Sequence, residues 1–165
     1  MSIAIYPGSF DPPTCGHMDI ILRASNIFDK VYVACMINMR KTTMFTVGER
    51  VGMLERMVSG LGNVSVVSSE SLLAEFAGEL GADVIVKGLR AMSDFEMEFQ
   101  MSLLNRKMNP KLDTLFLTTG ESFQYLSSSV VKEIGSLGGA FREFVPECVY
   151  GEIVEKLKEV SKNAK

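Results

Sequence analysis

Short apolar runs that stop at turn residues alternate along the chain with longer stretches in which apolar positions return every three or four residues. Residues 3–6 (Ile-Ala-Ile-Tyr) meet Pro7-Gly8 and read as a buried strand. The turn-rich residues 9–14 lead into a helix with Met18, Ile21, Leu22, Ser25 and Phe28 on one face. Residues 31–36 are a second apolar run, of the kind buried on both faces, and a polar loop over 38–43 follows. Thr46 and Glu49 have the spacing of a capping box; the helix they open turns Val47, Val51, Leu54 and Val58 inward, until Gly60, Gly62 and Asn63 end it. A third strand is expected at 64–67 and a short helix at 71–80, closed by Gly81. Residues 83–87 read as a fourth strand ending in Gly88-Leu89-Arg90, and Ser93 with Glu96 as a second capping box for a long helix reaching Met108. A fifth strand follows at 114–117. Ser127-Ser128-Ser129 offer an N-terminus to a helix beginning near Val130. Pro146 precedes a last helix lined by Val149, Ile153, Leu157 and Val160, whose Lys-rich end over 156–165 reads as solvated and frayed.

Strand and helix alternate five times, and each connection between strands is too long for a hairpin. The pattern predicts an α/β fold: a Rossmann-like, doubly wound, five-stranded parallel sheet with helices on both faces and a C-terminal helix. No internal repeat, low-complexity tract or linker interrupts it, so residues 1–165 are expected to form one domain. Ligands of such sheets bind outside the carboxyl ends of the strands. Segments 7–17, 87–90 and 118–129 directly follow strands and therefore gain weight.

The chain's 165 residues are enough for a core without staples, and 47% hydrophobic with 22% charged residues excludes a disordered chain. A net charge of −3 argues against non-specific nucleic-acid binding, yet a few Lys and Arg suffice for a small phosphorylated ligand. Cys15, Cys35 and Cys148 are far apart, with no C-x-x-C, and there is one histidine; no zinc set can be built, and a reducing compartment is expected. The opening residues lack the basic and apolar pattern of a secretory leader, so none is expected, and no apolar run reaches the roughly 20 residues that span a bilayer. The expectation is a cytoplasmic protein with neither membrane nor nucleic acid as partner.

Both common phosphate loops, G-x-x-x-x-G-K-[ST] and a G-x-G-x-x-G after the first strand, are absent, which disfavours a P-loop kinase and a dinucleotide-binding dehydrogenase. No serine sits in G-x-S-x-G, and no cysteine has a histidine at a diagnostic spacing. His17 stands at the start of the first helix. A lone helical histidine is ordinarily a partly exposed residue without a role. Here the helix N-terminus offers free N–H groups to an anion, Gly16 permits close approach, and an imidazole donates to a phosphoryl oxygen whether charged or neutral. The plain readings of Lys41 as a solvated charge, Arg90 as a surface residue and 127–129 as a helix cap stand beside the functional ones. Asp94, Glu96 and Glu98 make no metal set, because alternate residues point apart on a helix.

Thr14-Cys15-Gly16-His17 resembles the T/H-x-G-H motif of the adenylyl- and cytidylyltransferase superfamily, and Leu126-Ser127-Ser128-Ser129-Val130-Val131-Lys132 resembles its second signature, I-S-S-S/T-x-x-R/K. Residues 4–12, Met44-Phe45-Thr46 with Glu49-Arg50-Val51, Gly88-Leu89-Arg90-Ala91 with Asp94-Phe95-Glu96, and Asn105-Arg106 are similar to the bacterial phosphopantetheine adenylyltransferase family; the similarity runs from Ile3 to Leu157. The resemblance implies transfer of AMP from ATP to 4′-phosphopantetheine, giving dephospho-CoA and pyrophosphate in the penultimate step of coenzyme A synthesis, by direct in-line attack. It assigns catalysis to His17, Lys41 and Ser9. It places ATP on Ser9, Phe10, His17, Gly88, Leu89, Arg90, Glu98 and the stretch Phe123, Gln124, Tyr125, Leu126, Ser127, Ser128 and Ser129. It places the acceptor on Ser9, Lys41, Leu73 and Lys87. It further implies Mg2+ carried with ATP and no metal held in a protein cage, CoA as a feedback ligand of the same pocket, and a homohexamer. The chain departs from the family pattern at Cys15 (usually Asn), Lys87 (Arg), Met97 (an aromatic) and Phe123 (often Trp). Cys15, next to a helix N-terminus, is expected to have a lowered pKa.

Two other readings stay open. One is a sister nucleotidyltransferase acting on nicotinate mononucleotide or glycerol 3-phosphate; the match beyond the two motifs weighs against it. The other is a sensor that binds ATP or CoA without turnover, against which the intact His17, Ser9, Lys41 and Ser129 weigh.

Overall fold

The computed structural model describes residues 1–38 and 42–163. Strands β1 (Ile3–Gly8), β2 (Lys30–Met36), β3 (Val64–Ser69), β4 (Val84–Leu89) and β5 (Asp113–Thr118) form one sheet in the order β3-β2-β1-β4-β5, every neighbouring pair parallel. Helices α1 (Cys15–Ile27), α2 (Val47–Val58), α3 (Leu73–Glu79), α4 (Met92–Met108), α5 (Ser128–Ser136) and α6 (Glu147–Asn163) cover it, giving the expected doubly wound α/β fold. The chain builds outward from β1 to β3, then crosses to the other side of β1 for β4 and β5. Strand order therefore reverses between β1 and β4, and a crevice opens at their carboxyl ends.

Alternation along the strands sorts the sheet's side chains into two layers. Ala4, Tyr6, Val31, Val33 and Val86 join a large core with Ile20 and Ile21 of α1, Leu54 of α2, Val131 of α5 and Ile153 of α6. Ile5, Ala34 and Ile85 face a smaller core, closed by Ala74 and Ala77 of α3. α4 lies on this thinner side, and only Asn105 is buried among its described side chains.

Element boundaries differ from the sequence expectation where pairing decides them. β4 runs through Gly88 and Leu89 because its ladder with β5 continues to Leu89 opposite Thr118, so these two are strand residues rather than a turn. β3 reaches Ser69 by the same route, opposite Met36. The Thr46 capping box forms as expected: Thr46 Oγ1 accepts from Glu49 N at 3.2 Å and the Glu49 carboxylate accepts from Thr46 N at 2.6 Å. The second box does not open α4, which begins at Met92 with Ala91 at the N-cap and no side-chain cap bond. Gly81 takes φ +66, the left-handed conformation expected after α3. In α1 the inward face is Ile20, Ile21 and Ala24, leaving Leu22 exposed. Val160 is exposed as well, and Lys156 is no solvated tail residue: its ammonium pairs with Glu49 at 2.7 Å and lies over the Phe45 ring, because α6 packs on α2.

Candidate active site

The carboxyl end of β1 is shaped by one tight turn. An added Cβ at Gly8 would lie 2.8 Å from the Phe10 ring, so only glycine lets that ring fold back over the strand. Phe10 itself takes φ +50, a conformation costing a bulky residue roughly 1–2 kcal/mol. The turn sets its ring edge-on between Tyr6, at 5.5 Å, and the His17 imidazole, at 5.0 Å.

His17 occupies the third position of α1, where a capping box usually carries Glu or Gln. Thr14 Oγ1 accepts from His17 N at 3.3 Å, and the imidazole Nδ1 accepts from Thr14 N at 3.0 Å. A backbone amide can only donate. Nδ1 therefore presents its lone pair, and the neutral ring carries its proton on Nε2. Burial, followed by the charge of Arg90, pushes the His17 pKa down to about 4. The ring is thus a neutral donor whose one free N–H is Nε2.

A cavity of about 370 Å3 lies over the ends of β1 and β4. Ser9, Phe10, Gly16 and His17 line it from the β1–α1 turn and α1; Gly88, Arg90 and Glu98 line it from β4 and α4. Leu126 to Ser129 and Lys132, at the N-terminal end of α5, complete it. Ser127 caps α5 by accepting from Val130 N at 3.1 Å, and Ser128 Oγ donates to the Pro12 carbonyl at 2.7 Å, tying α5 to the β1–α1 turn. Arg90 donates to Asp94 at 3.1 Å and to the Leu126 carbonyl at 3.2 Å. Two helix N-termini, a guanidinium and an ammonium thus converge on one space, which suits a polyanion. A second cavity, of about 380 Å3, adjoins across Ser9 and is lined by Met36, Ile37, Thr43, Thr46 and Arg50 among others.

Of the residues singled out in the sequence, Ser9, Phe10, His17, Gly88, Arg90, Glu98, Leu126, Ser127, Ser128 and Ser129 line the first cavity. Lys41 lies outside the described residues. Leu89 follows Gly88 along β4, so alternation turns its side chain to the other face. Phe123 is packed on the large core, while Gln124 and Tyr125 are exposed, Tyr125 against the Phe144 ring. Leu73 packs on the small core, and Lys87 pairs with Glu98 at 3.1 Å. Cys15 departs from expectation: burial pushes its thiol pKa up, not down.

Three polar residues escaped the sequence reading. Asp11 is 2% exposed, and its carboxylate accepts from Met44 N, Phe45 N and Lys132 Nζ at 3.0, 2.9 and 2.8 Å. Burial pushes its pKa up; the Lys132 bond and the two amides outweigh that and hold it below the ordinary value. Arg50, equally buried, donates to the Ser9 carbonyl at 2.8 Å and the Phe45 carbonyl at 3.2 Å. Lys132 is the last position of the second motif, which was its one available signal.

Comparison with known proteins agrees with this geometry. The cytidylyltransferase-like family profile matches residues 5–134. The chain is 49% identical to a phosphopantetheine adenylyltransferase of Caldanaerobacter subterraneus, covering 96% of this chain and 99% of that one. It is 51% identical to a phosphopantetheine adenylyltransferase of Alkaliphilus metalliredigens over 94% of this chain and 99% of the relative. A Vibrio parahaemolyticus structure described as a nicotinate-nucleotide adenylyltransferase shares the fold, with a TM-score of 0.70 at 20% identity and 95% coverage of both chains. By its sequence over nearly its whole length, the chain belongs to the phosphopantetheine adenylyltransferase family, within the cytidylyltransferase-like nucleotidyltransferases.

Proposed function

We infer that this chain transfers the adenylyl group of ATP to 4′-phosphopantetheine, forming dephospho-CoA and releasing pyrophosphate. The observation that carries the chemistry is a neutral, Nε2-protonated His17 facing a cavity rimmed by two helix N-termini, Arg90 and Lys132. An acceptor phosphate oxygen attacks the α-phosphorus, and the bond from that phosphorus to the bridging oxygen of the β-phosphate breaks. His17 Nε2–H donates to the α-phosphoryl oxygen as charge builds there. Ser9, shared by both cavities, orients the attacking phosphate. Lys41 neutralises that phosphate. Arg90, Lys132 and the N-terminal end of α5 hold the ATP phosphates, so catalysis is positioning and charge stabilisation. Gly88, Leu89, Glu98 and residues 123–129 border the nucleotide; Leu73 and Lys87 stay with the acceptor on the strength of the resemblance.

Mg2+, carried by ATP rather than by a protein cage, would supply charge neutralisation on the phosphates beside Arg90 and Lys132. No cluster of three metal-ligating side chains occurs among the described residues, and the cavity's carboxylates Asp11 and Glu98 are already paired with Lys132 and Lys87. CoA carries both a pantetheine arm and an adenine nucleotide, so it fits the two adjoining cavities as a feedback ligand. Assembly as a homohexamer accords with the exposed apolar side chains along α4. No helix among the described residues is long and apolar enough to cross a membrane, and the small water-soluble substrates accord with a cytoplasmic location.

The test is pyrophosphate release from ATP and Mg2+ with 4′-phosphopantetheine, run beside nicotinate mononucleotide and glycerol 3-phosphate. Release with phosphopantetheine alone is expected. Release with another acceptor would keep AMP transfer and replace the substrate. Silence with all three while ATP still binds would make the chain a sensor.

A further inference from the structure

We propose that Asp11 is a positioning residue that sets the Lys132 ammonium against the ATP polyphosphate and, through the same carboxylate, anchors the segment following Lys41. The proposal rests on the adenylyl-transfer reading and adds to it a residue that no motif marks as functional.

Three segments distant in sequence meet on this one side chain. Oδ1 accepts from Phe45 N, and Oδ2 accepts from Met44 N and from Lys132 Nζ, the lysine lying 121 residues away. Asp11 lines the cavity yet is almost fully buried, whereas the Lys132 side chain keeps 26% of its exposure. The carboxylate thus lies deeper in the protein than the ammonium it holds. An ammonium has three donors; with one given to Asp11, the others remain for a phosphate in the cavity.

Such an anchor answers a physical need. Lysine is a point charge on a flexible four-carbon stem, and each binding event would otherwise have to order it. The two backbone amides take up part of the carboxylate's charge, so Asp11 holds Lys132 without cancelling its attraction for the incoming anion. The other half of the anchor faces the acceptor. Met44 and Phe45 follow Lys41 by three and four residues in the sequence, and Arg50 fastens the same Phe45 to the Ser9 carbonyl. One carboxylate therefore registers the donor's phosphate cation against the acceptor's loop.

The experiment is a double-mutant cycle with Asp11→Asn and Lys132→Gln, reading KM for ATP, KM for the acceptor and kcat, with thermal melting as a check on folding. Each single variant is expected to raise the ATP KM about tenfold, the value of a charge-assisted hydrogen bond, and the double variant no more than the worse single. Asp11→Asn should also raise the acceptor KM, which Lys132→Gln leaves unchanged. Additive losses on ATP, or an acceptor KM indifferent to Asp11→Asn, would overturn the proposal. A merely structural Asp11 would lower the melting temperature without this non-additivity. Should Asp11→Asn fail to fold, Lys132→Arg keeps a cation on Asp11 and is expected to hold the ATP KM within about threefold while Lys132→Gln does not; equal losses in the two would refute it. Calorimetry of pyrophosphate binding runs the same cycle without turnover. Inactivity of the unaltered chain, which would end the adenylyl-transfer reading, is thereby told apart from failure of the Asp11 role.

Discussion

The two flanks of the crevice are built in opposite ways. On the side of the β1–α1 turn and α5, polar groups are closed by bonds within the chain: Asp11 to Lys132, Ser128 to Pro12, Arg50 to Ser9 and Phe45. On the side of α4 it is apolar groups that are left over. Met97 is 71% exposed, and Phe99, Met101, Leu103, Leu104 and Met108 are exposed with it, as is Leu115 of the edge strand β5. On the helix Met97, Met101, Leu104 and Met108 form one stripe and Phe99 and Leu103 lie on the opposite side, so one sheet face cannot bury them all. The difference teaches that the β1–α1 and α5 flank closes its described polar groups within the chain, while α4 leaves apolar side chains uncovered, which accords with the proposed assembly of copies.

Breaking the first flank at its chemical centre should have the largest effect. His17→Ala is expected to lower kcat by roughly a hundred- to a thousandfold, about 3–4 kcal/mol of transition-state stabilisation, with ATP affinity nearly unchanged. Steady-state kinetics beside equilibrium ATP binding checks this; equal losses in both would reduce His17 to a binding contact. Next comes pH. His17 is the chain's only histidine, so one imidazole resonance reports its titration, with an expected midpoint about 4. Its folded pKa lies below the unfolded value of about 6.5, so the associated stability is present in full above 6.5 and is lost as pH falls towards 4, reaching about 3 kcal/mol. Denaturant unfolding of the wild type beside His17→Gln isolates that contribution; parallel pH curves would contradict it.

The second flank is tested by changing Leu103 and Leu104 together to Lys. Each apolar side chain buried between copies contributes about 2 kcal/mol, so the molar mass by light scattering should fall and the melting temperature should lose any dependence on protein concentration. An unchanged mass would remove α4 from any interface. The smallest effect is expected at Thr46→Ala, which deletes the cap of α2 and should cost about 1 kcal/mol in denaturant unfolding, with no change in KM for ATP.

What the sequence reveals of this molecule follows the same division. The five strands, their parallel, doubly wound arrangement and the two motif-bearing turns are legible because periodicity, turn residues and local motifs are short-range signals. The extension of β4 to Leu89 is not, since it depends on Thr118 standing opposite. Nor is the burial of Asp11 and Arg50: both stand in recognisable stretches, but the partners of Asp11 are 33 to 121 residues away, and the Arg50 bond to Ser9 spans 41 residues beside its local one to Phe45. The cap that sets the His17 tautomer could have been anticipated from Thr14 three residues before it, had imidazole been counted among the side chains that close a capping box. Leu73 shows the converse, a residue assigned to the acceptor by resemblance whose visible contacts in one chain are with the small core.

The most direct test of the account is the stereochemistry at phosphorus. With Nδ1 engaged by Thr14 and the proton on Nε2, the proposed reading has His17 stabilise charge rather than attack, and adenylyl transfer proceed in one displacement. With a single stereoisomer of adenosine 5′-O-(1-thiotriphosphate) as donor, the dephospho-CoA formed should show inversion at the α-phosphorus. Retention would mean two displacements through an adenylylated side chain, and would contradict the role given to His17.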